Sequence, residues 1–202
     1  MRAISISCRK GGSGKTTLCH LLSVGAVWNN KQAVILHTDD RTPPTLDRPY
    51  ALIDCRDTDA LVSTANNIMD SEHDGLMIID SGGNRPETDR WLAEQCELVL
   101  IPVALSSEED VRVALEHYES LKGSTAQIRF VINQAPAIHR LSAYDNQLLD
   151  LLPSALILAH LPTVKPSRVL LGSDPEIGFK TPPTSVNNAA RHLYRAVRDI
   201  LE

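Results

Sequence analysis

The segment Arg9-Lys10-Gly11-Gly12-Ser13-Gly14-Lys15-Thr16-Thr17 packs three glycines, two lysines and two threonines into nine residues. Glycines at this spacing let a backbone wrap closely enough for its N–H groups to point inward at phosphate oxygens. In such a cradle, formed by Gly11, Gly12, Ser13, Gly14 and Thr17, Lys15 would neutralise charge on β- and γ-phosphates and the Thr16 hydroxyl would ligate Mg²⁺. A second candidate is Asp80, which ends the apolar run Leu76 to Ile79 and precedes Ser81, Gly82 and Gly83. A carboxylate at the carboxyl end of a buried strand can hold a Mg²⁺ water shell, and Gly82 or Gly83 can offer a backbone N–H to a γ-phosphate. A third is the run from Ala33 that ends in His37, Thr38, Asp39 and Asp40.

These groups converge only if strands and helices alternate around them. Arg2 to Cys8 reads as a strand and Thr16 to Asn29 as a helix, so the glycine loop falls at a helix N-terminus, where the dipole favours an anion. Further strands are expected at Ala33 to Thr38, Tyr50 to Cys55, Gly75 to Asp80, Glu97 to Val103, Gln127 to Asn133 and Ala155 to Leu161. Helices are expected at Asp57 to Asp70, Ser107 to Leu121, Leu141 to Leu151 and Ser185 to Leu201. The pattern predicts an α/β fold in three layers, a mostly parallel sheet with helices on both faces. Pro162 to Pro183, rich in Pro and Gly, reads as a surface loop.

Composition agrees. At 202 residues with 43% hydrophobic and 22% charged, the chain suits one domain spanning 1–202 and is too apolar for intrinsic disorder. An aromatic share of 4% disfavours a β sandwich. No apolar run approaches the roughly 20 residues of a membrane span, and Arg2 is not followed by a signal-peptide core, so a cytoplasmic protein without membrane association is expected. Cys8, Cys19, Cys55 and Cys96 show no CxxC spacing and read as buried thiols.

A standard phosphate loop carries Gly or Ala separated by four residues from its GK pair; here that position is Arg9, followed by Lys10. The string resembles the deviant Walker A loop, KGGxGK[ST], of the ParA/MinD superfamily of dimerising ATPases. The resemblance implies that Lys10 reaches across a nucleotide sandwich dimer to the partner's phosphates. It sets Asp39, 24 residues after Lys15, opposite the family's second aspartate, which positions the attacking water. His37 then replaces the first aspartate, which supports the Mg²⁺ shell, and a neutral imidazole does not supply that charge. A register shifted by one would promote Asp40 instead. Asn133 matches a position that contacts the adenine edge, its plainer alternative being a turn cap. Pro162 matches the turn lining the other side of the base.

The function implied is a ParA-like ATPase, cofactors ATP and Mg²⁺, that dimerises on ATP and positions or segregates DNA or another cargo, with a ParB-like or other partner protein triggering hydrolysis. Alternatives are an ATPase regulating conjugation or secretion, or an ATP-dependent small-molecule synthetase on the same scaffold; the absence of paired cysteines argues against an iron–sulfur carrier. The net charge of −5 argues against a wholesale nucleic-acid coat. From Lys165 onward, however, six Lys or Arg stand against four acids. Arg191, Arg195 and Arg198 share one helix face, giving a candidate surface for nonspecific DNA or an ordinary solvated face.

Overall fold

The computed structural model describes residues 1–40, 47–71, 73–83, 85–163, 170–171 and 182–202. Seven strands form one sheet: β1 (Arg2–Ile6), β2 (Gln32–His37), β3 (Ala51–Asp54), β4 (Gly75–Asp80), β5 (Leu98–Ala104), β6 (Gln127–Ala135) and β7 (Ile157–Pro162). Their order is β3-β2-β4-β1-β5-β6-β7, and every pairing is parallel. A parallel sheet must be covered on both faces, and the near-continuous apolar runs of β1, β4 and β5 reflect that burial.

On one face lie α1 (Lys15–Val27) and α6 (Thr184–Leu201), sharing a core with Ile4, Ile6, Ile35, Ile78 and Leu100. They approach closely at Gly25, where a Cβ would stand 2.4 Å from the Ala190 carbonyl oxygen. On the other face lie α2 (Thr58–Met69) and α3 (Pro86–Gln95), over Leu36 and Ile79, and α4 (Glu108–Leu121) and α5 (Ala143–Asp150), over Ile101 and Phe130. The expected three layers are therefore present. The sheet is parallel throughout its described strands, where the sequence pattern predicts only a mostly parallel one.

Helix α3 is absent from the elements that the sequence pattern predicts. Its ten residues carry few apolar side chains, so periodicity is faint, yet Pro86 opens it and Glu87 and Asp89 occupy its first turn, both start signals of a helix. Most of the expected loop 162–183 lies outside the described residues. Leu170, within it, is fully buried, and its carbonyl accepts from Arg48 Nη2. The four cysteines are free and buried, as expected. Among the described residues no helix is long and apolar enough to cross a membrane.

Candidate active site

Strand order gathers the candidates at one edge. With β1 between β4 and β5, and β2 beyond β4, the carboxyl ends of β2, β4 and β1 bring 37–40, 80–83 and the glycine loop together, and β5 sets the start of α4 on the loop's other side. This crevice at the strand carboxyl ends is where open α/β sheets bind ligands.

The loop itself requires glycine at two positions. Gly12 and Gly14 have φ of 76° and 92°, and a Cβ on Gly14 would fall 2.2 Å from Asn133 Nδ2. Helix α1 then starts with no side-chain cap and no acidic residue in its first turn, whereas α2, α4 and α5 have both. Its first N–H groups and dipole are thus left for an anion from outside the chain. Lys15 is buried and folds inward, its Nζ donating to the carbonyls of Cys8 at 3.1 Å and Lys10 at 3.4 Å. Thr16 and Thr17 follow, half-buried, in the first turn.

Lys10 turns the other way. Its Nζ lies 3.0 Å from Oδ1 of Asp110 on α4, which holds its pKa above the usual lysine value. Asp110 carries no signal in the sequence, because only the adjacency of β1 and β5 brings it to the loop. Lys10 and Asp110 line a small cleft of about 160 Å³ with Gly11, Gly12, Ser106 and Gln134.

Asp80 is 1% exposed, and neither carboxylate oxygen has a hydrogen-bond partner. With only the Cys19 thiol and the His37 ring beside it, this buried carboxylate is short of partners and fits a cation between it and the glycine loop. The Cys19 thiol faces Asp80 from α1, and burial, reinforced by that carboxylate, pushes it well above the ordinary thiol range, so it stays protonated. His37, buried beside it, places Nδ1 3.4 Å from Asp80 Oδ2.

The loops after β2 and β4 are cross-linked. Thr38 Oγ1 donates to the Asp80 carbonyl and accepts from the Gly82 N–H at 3.1 Å. Arg85 donates to the Thr38 carbonyl and pairs with Asp40, whose side chain is exposed. Asp39 is half-buried, with its Cα 3.4 Å from where a Gly82 Cβ would stand. Of the two glycines it is Gly83 that faces Lys15, a Cβ there lying 3.7 Å from Nζ, while the Gly82 N–H is already engaged. Neither Thr38 nor Arg85 carries a motif signal; an Arg three residues beyond Gly82 is the only available hint.

Asn133 is buried and donates from Nδ2 to the Ser13 carbonyl at 2.9 Å, which ties the end of β6 to the glycine loop. Pro162 ends β7, exposed and paired with Ala135. Arg191, Arg195 and Arg198 are exposed on α6. Arg198 bonds Asp199 and pairs with Glu202, and its helix end borders the amino ends of the strands, remote from the phosphate loop. Lys165, Arg168 and Lys180 lie outside the described residues.

Two buried histidines stand behind the site. His20 Nδ1 lies 2.7 Å from the Tyr50 hydroxyl, and burial, with Arg48 and then His37 nearby, lowers its pKa to about 3. His117 Nε2 lies 2.8 Å from Ser7 Oγ, and burial, then Arg9 and Lys15, lowers its pKa to about 4. Both are neutral in the fold but take up protons near pH 6.5 when unfolded, so stability is full above that pH and falls as pH drops toward 4. The expected slope approaches about 2.7 kcal/mol per pH unit with two protons taken up. Urea melts at pH 7.5, 6 and 5 check this: His117→Asn should halve the slope, and equal stability at pH 7.5 and 5 would contradict it.

A parallel seven-stranded sheet with a glycine loop between β1 and α1 defines the class as an α/β fold of the P-loop NTPase type. Among solved structures the chain has the fold of the MinD and ParA ATPases. It is similar to the MinD cell division protein of Aquifex aeolicus at 17% identity and TM-score 0.67, covering 100% of this chain and 98% of that one. It is likewise similar to a Cyanothece McdA–ATP complex (16%, 0.66, 98% and 96%) and to a ParA family ATPase from Chlorobium tepidum TLS (13%, 0.63, 97% and 98%). No protein-family model and no curated protein matches the chain by sequence.

Proposed function

We propose that the chain is a ParA-like ATPase that binds MgATP at the loop of residues 9–17, dimerises on it, and positions DNA or another cargo until a partner protein stimulates hydrolysis. The observation that carries this reading is the division of labour between the two loop lysines. Lys15 points into the cradle, while Lys10 points out of it and is held by Asp110. A lysine that served its own subunit's phosphates would lie inside.

In this reading ATP takes over the N–H groups at the start of α1 and draws Lys15 Nζ off the carbonyls of Cys8 and Lys10. Thr16 and Asp80 are the residues that would hold Mg²⁺, which neutralises charge on the phosphate oxygens when bound. Lys10 leaves Asp110 for the partner's phosphates, exchanging one half-exposed ion pair for charge-assisted contacts at a closed interface. Asp39 orients the attacking water. Gly83 meets the terminal phosphate, and the Thr38 and Arg85 bridges make the loops after β2 and β4 respond together when that phosphate leaves. The McdA complex holds ATP on the same fold, which supports nucleotide binding here.

DNA binding tests the cargo. With ATP and Mg²⁺ at low salt, the protein should bind duplex DNA of any sequence, and affinity should fall steeply with salt through counterion release. Replacing Arg191 and Arg195 with alanine should weaken binding to all sequences alike and reduce the salt slope by about one for each arginine that neutralises a phosphate, with dimerisation unchanged. An ATP-bound dimer that ignores DNA at low salt would turn the reading toward an ATPase regulating conjugation or secretion.

A further inference from the structure

His37 and Asp80 are direct partners in the β2–β4 ladder, so their side chains leave the same face of the sheet at its carboxyl edge. Both are buried, at 4% and 1% exposure. The 3.4 Å between His37 Nδ1 and Asp80 Oδ2 exceeds an ordinary N–H···O bond, and the only other side-chain donor facing Asp80 among the described residues is the Cys19 thiol. Two donors bound at adjacent positions of one octahedral ion, each about 2.1 Å from it, stand about 3 Å apart. At 3.4 Å the two side chains stand close enough for one ion to touch both with a modest opening of the angle between them.

We infer that His37 is a ligand of the divalent ion held by Asp80, and that it shifts this site from Mg²⁺ toward Mn²⁺ and similar borderline ions. This rests on the metal–nucleotide reading above and adds the ion's identity to it. Mg²⁺ prefers an all-oxygen shell and gains little from imidazole, whereas affinity for nitrogen donors rises along the series beginning with Mn²⁺. Among the described residues no group of three His, Cys, Asp or Glu side chains could hold a metal. His37 and Asp80 therefore supply two donors, Thr16 a third through its hydroxyl, and phosphate oxygens must complete the shell. Binding of the borderline ion is accordingly tied to nucleotide rather than to a preformed protein cage.

The test is pulsed electron paramagnetic resonance of Mn²⁺ with unlabelled ADP and uniformly ¹⁵N-labelled protein, so that any nitrogen coupling is assigned to the chain. Wild type should show the coupling of a directly bound nitrogen, and His37→Gln and His37→Asp should lose it. Competition between Mn²⁺ and Mg²⁺ in the ADP complex should show the preference for Mn²⁺ falling at least tenfold in His37→Asp. Bound Mn²⁺ without ¹⁵N coupling in wild type would overturn the inference alone, and this measurement needs no variant to fold. An unchanged metal preference in a folded His37→Asp would also overturn it. Failure of wild type to bind Mn²⁺ with ADP at all would remove the metal–nucleotide reading as well.

Discussion

Lys15→Ala is expected to lower ATP affinity by two to three orders of magnitude while leaving the fold intact. Lys15 Nζ is buried beneath the loop and holds two backbone carbonyls, and it forms no ion pair with a carboxylate among the described residues. Its removal breaks no direct ion pair, but it takes a positive charge from near the buried Asp89 and a donor from two carbonyls, a modest cost in stability. Bound phosphate would lose charge-assisted hydrogen bonds worth about 1.5–3 kcal/mol each. Titration with a fluorescent ATP analogue, beside thermal melts without nucleotide, checks both halves. Unchanged affinity would remove the loop from the site.

Asp39→Ala is expected to bind ATP and dimerise as wild type does, yet to hydrolyse at least a hundredfold more slowly. A residue that acts on the water contributes in the transition state and not to ground-state binding, so the loss falls on kcat alone. The geometry separates Asp39 from its neighbour: Asp39 packs its backbone against Gly82, whereas Asp40 is exposed and pairs with Arg85. Asp40→Ala should therefore loosen that pair and cost no more than a few-fold. Single-turnover hydrolysis with bound nucleotide measured separately distinguishes the two. A large loss in Asp40→Ala with normal Asp39→Ala would move the water-positioning role by one residue.

Much of this arrangement is legible along the chain, because it is local. Strand β4 occupies 75–80 as its apolar run indicates, and the glycine loop sits between β1 and α1 as its residue types require. What the chain conceals is set by which strands become neighbours. Asp110 meets Lys10 only because β5 pairs with β1, and His37 faces Asp80 only because β2 pairs with β4 in that register. From sequence His37 reads as a missing charge; in the sheet its ring stands buried beside the Asp80 carboxylate. Asn133 shows the same limit. Its type suits a base edge or a turn, and the fold turns its amide onto the Ser13 carbonyl. Helix α3 is hidden for a different reason: its ten residues are mostly polar, and it is marked only by Pro86 and the acidic residues of its first turn rather than by an apolar stripe.

Nucleotide is expected to convert Lys10 from an internal partner of Asp110 into a bond across a dimer. Analytical ultracentrifugation of wild type, Lys10→Ala and Asp110→Ala with Mg²⁺ and either ADP, ATP or a nonhydrolysable ATP analogue tests this most directly. Wild type should be monomeric with ADP and dimeric with ATP or the analogue. Lys10→Ala should bind nucleotide and stay monomeric, and Asp110→Ala, with Lys10 released, should dimerise at lower protein concentration than wild type. A wild type that stays monomeric with the analogue bound, or a Lys10→Ala that dimerises as wild type does, would contradict the account.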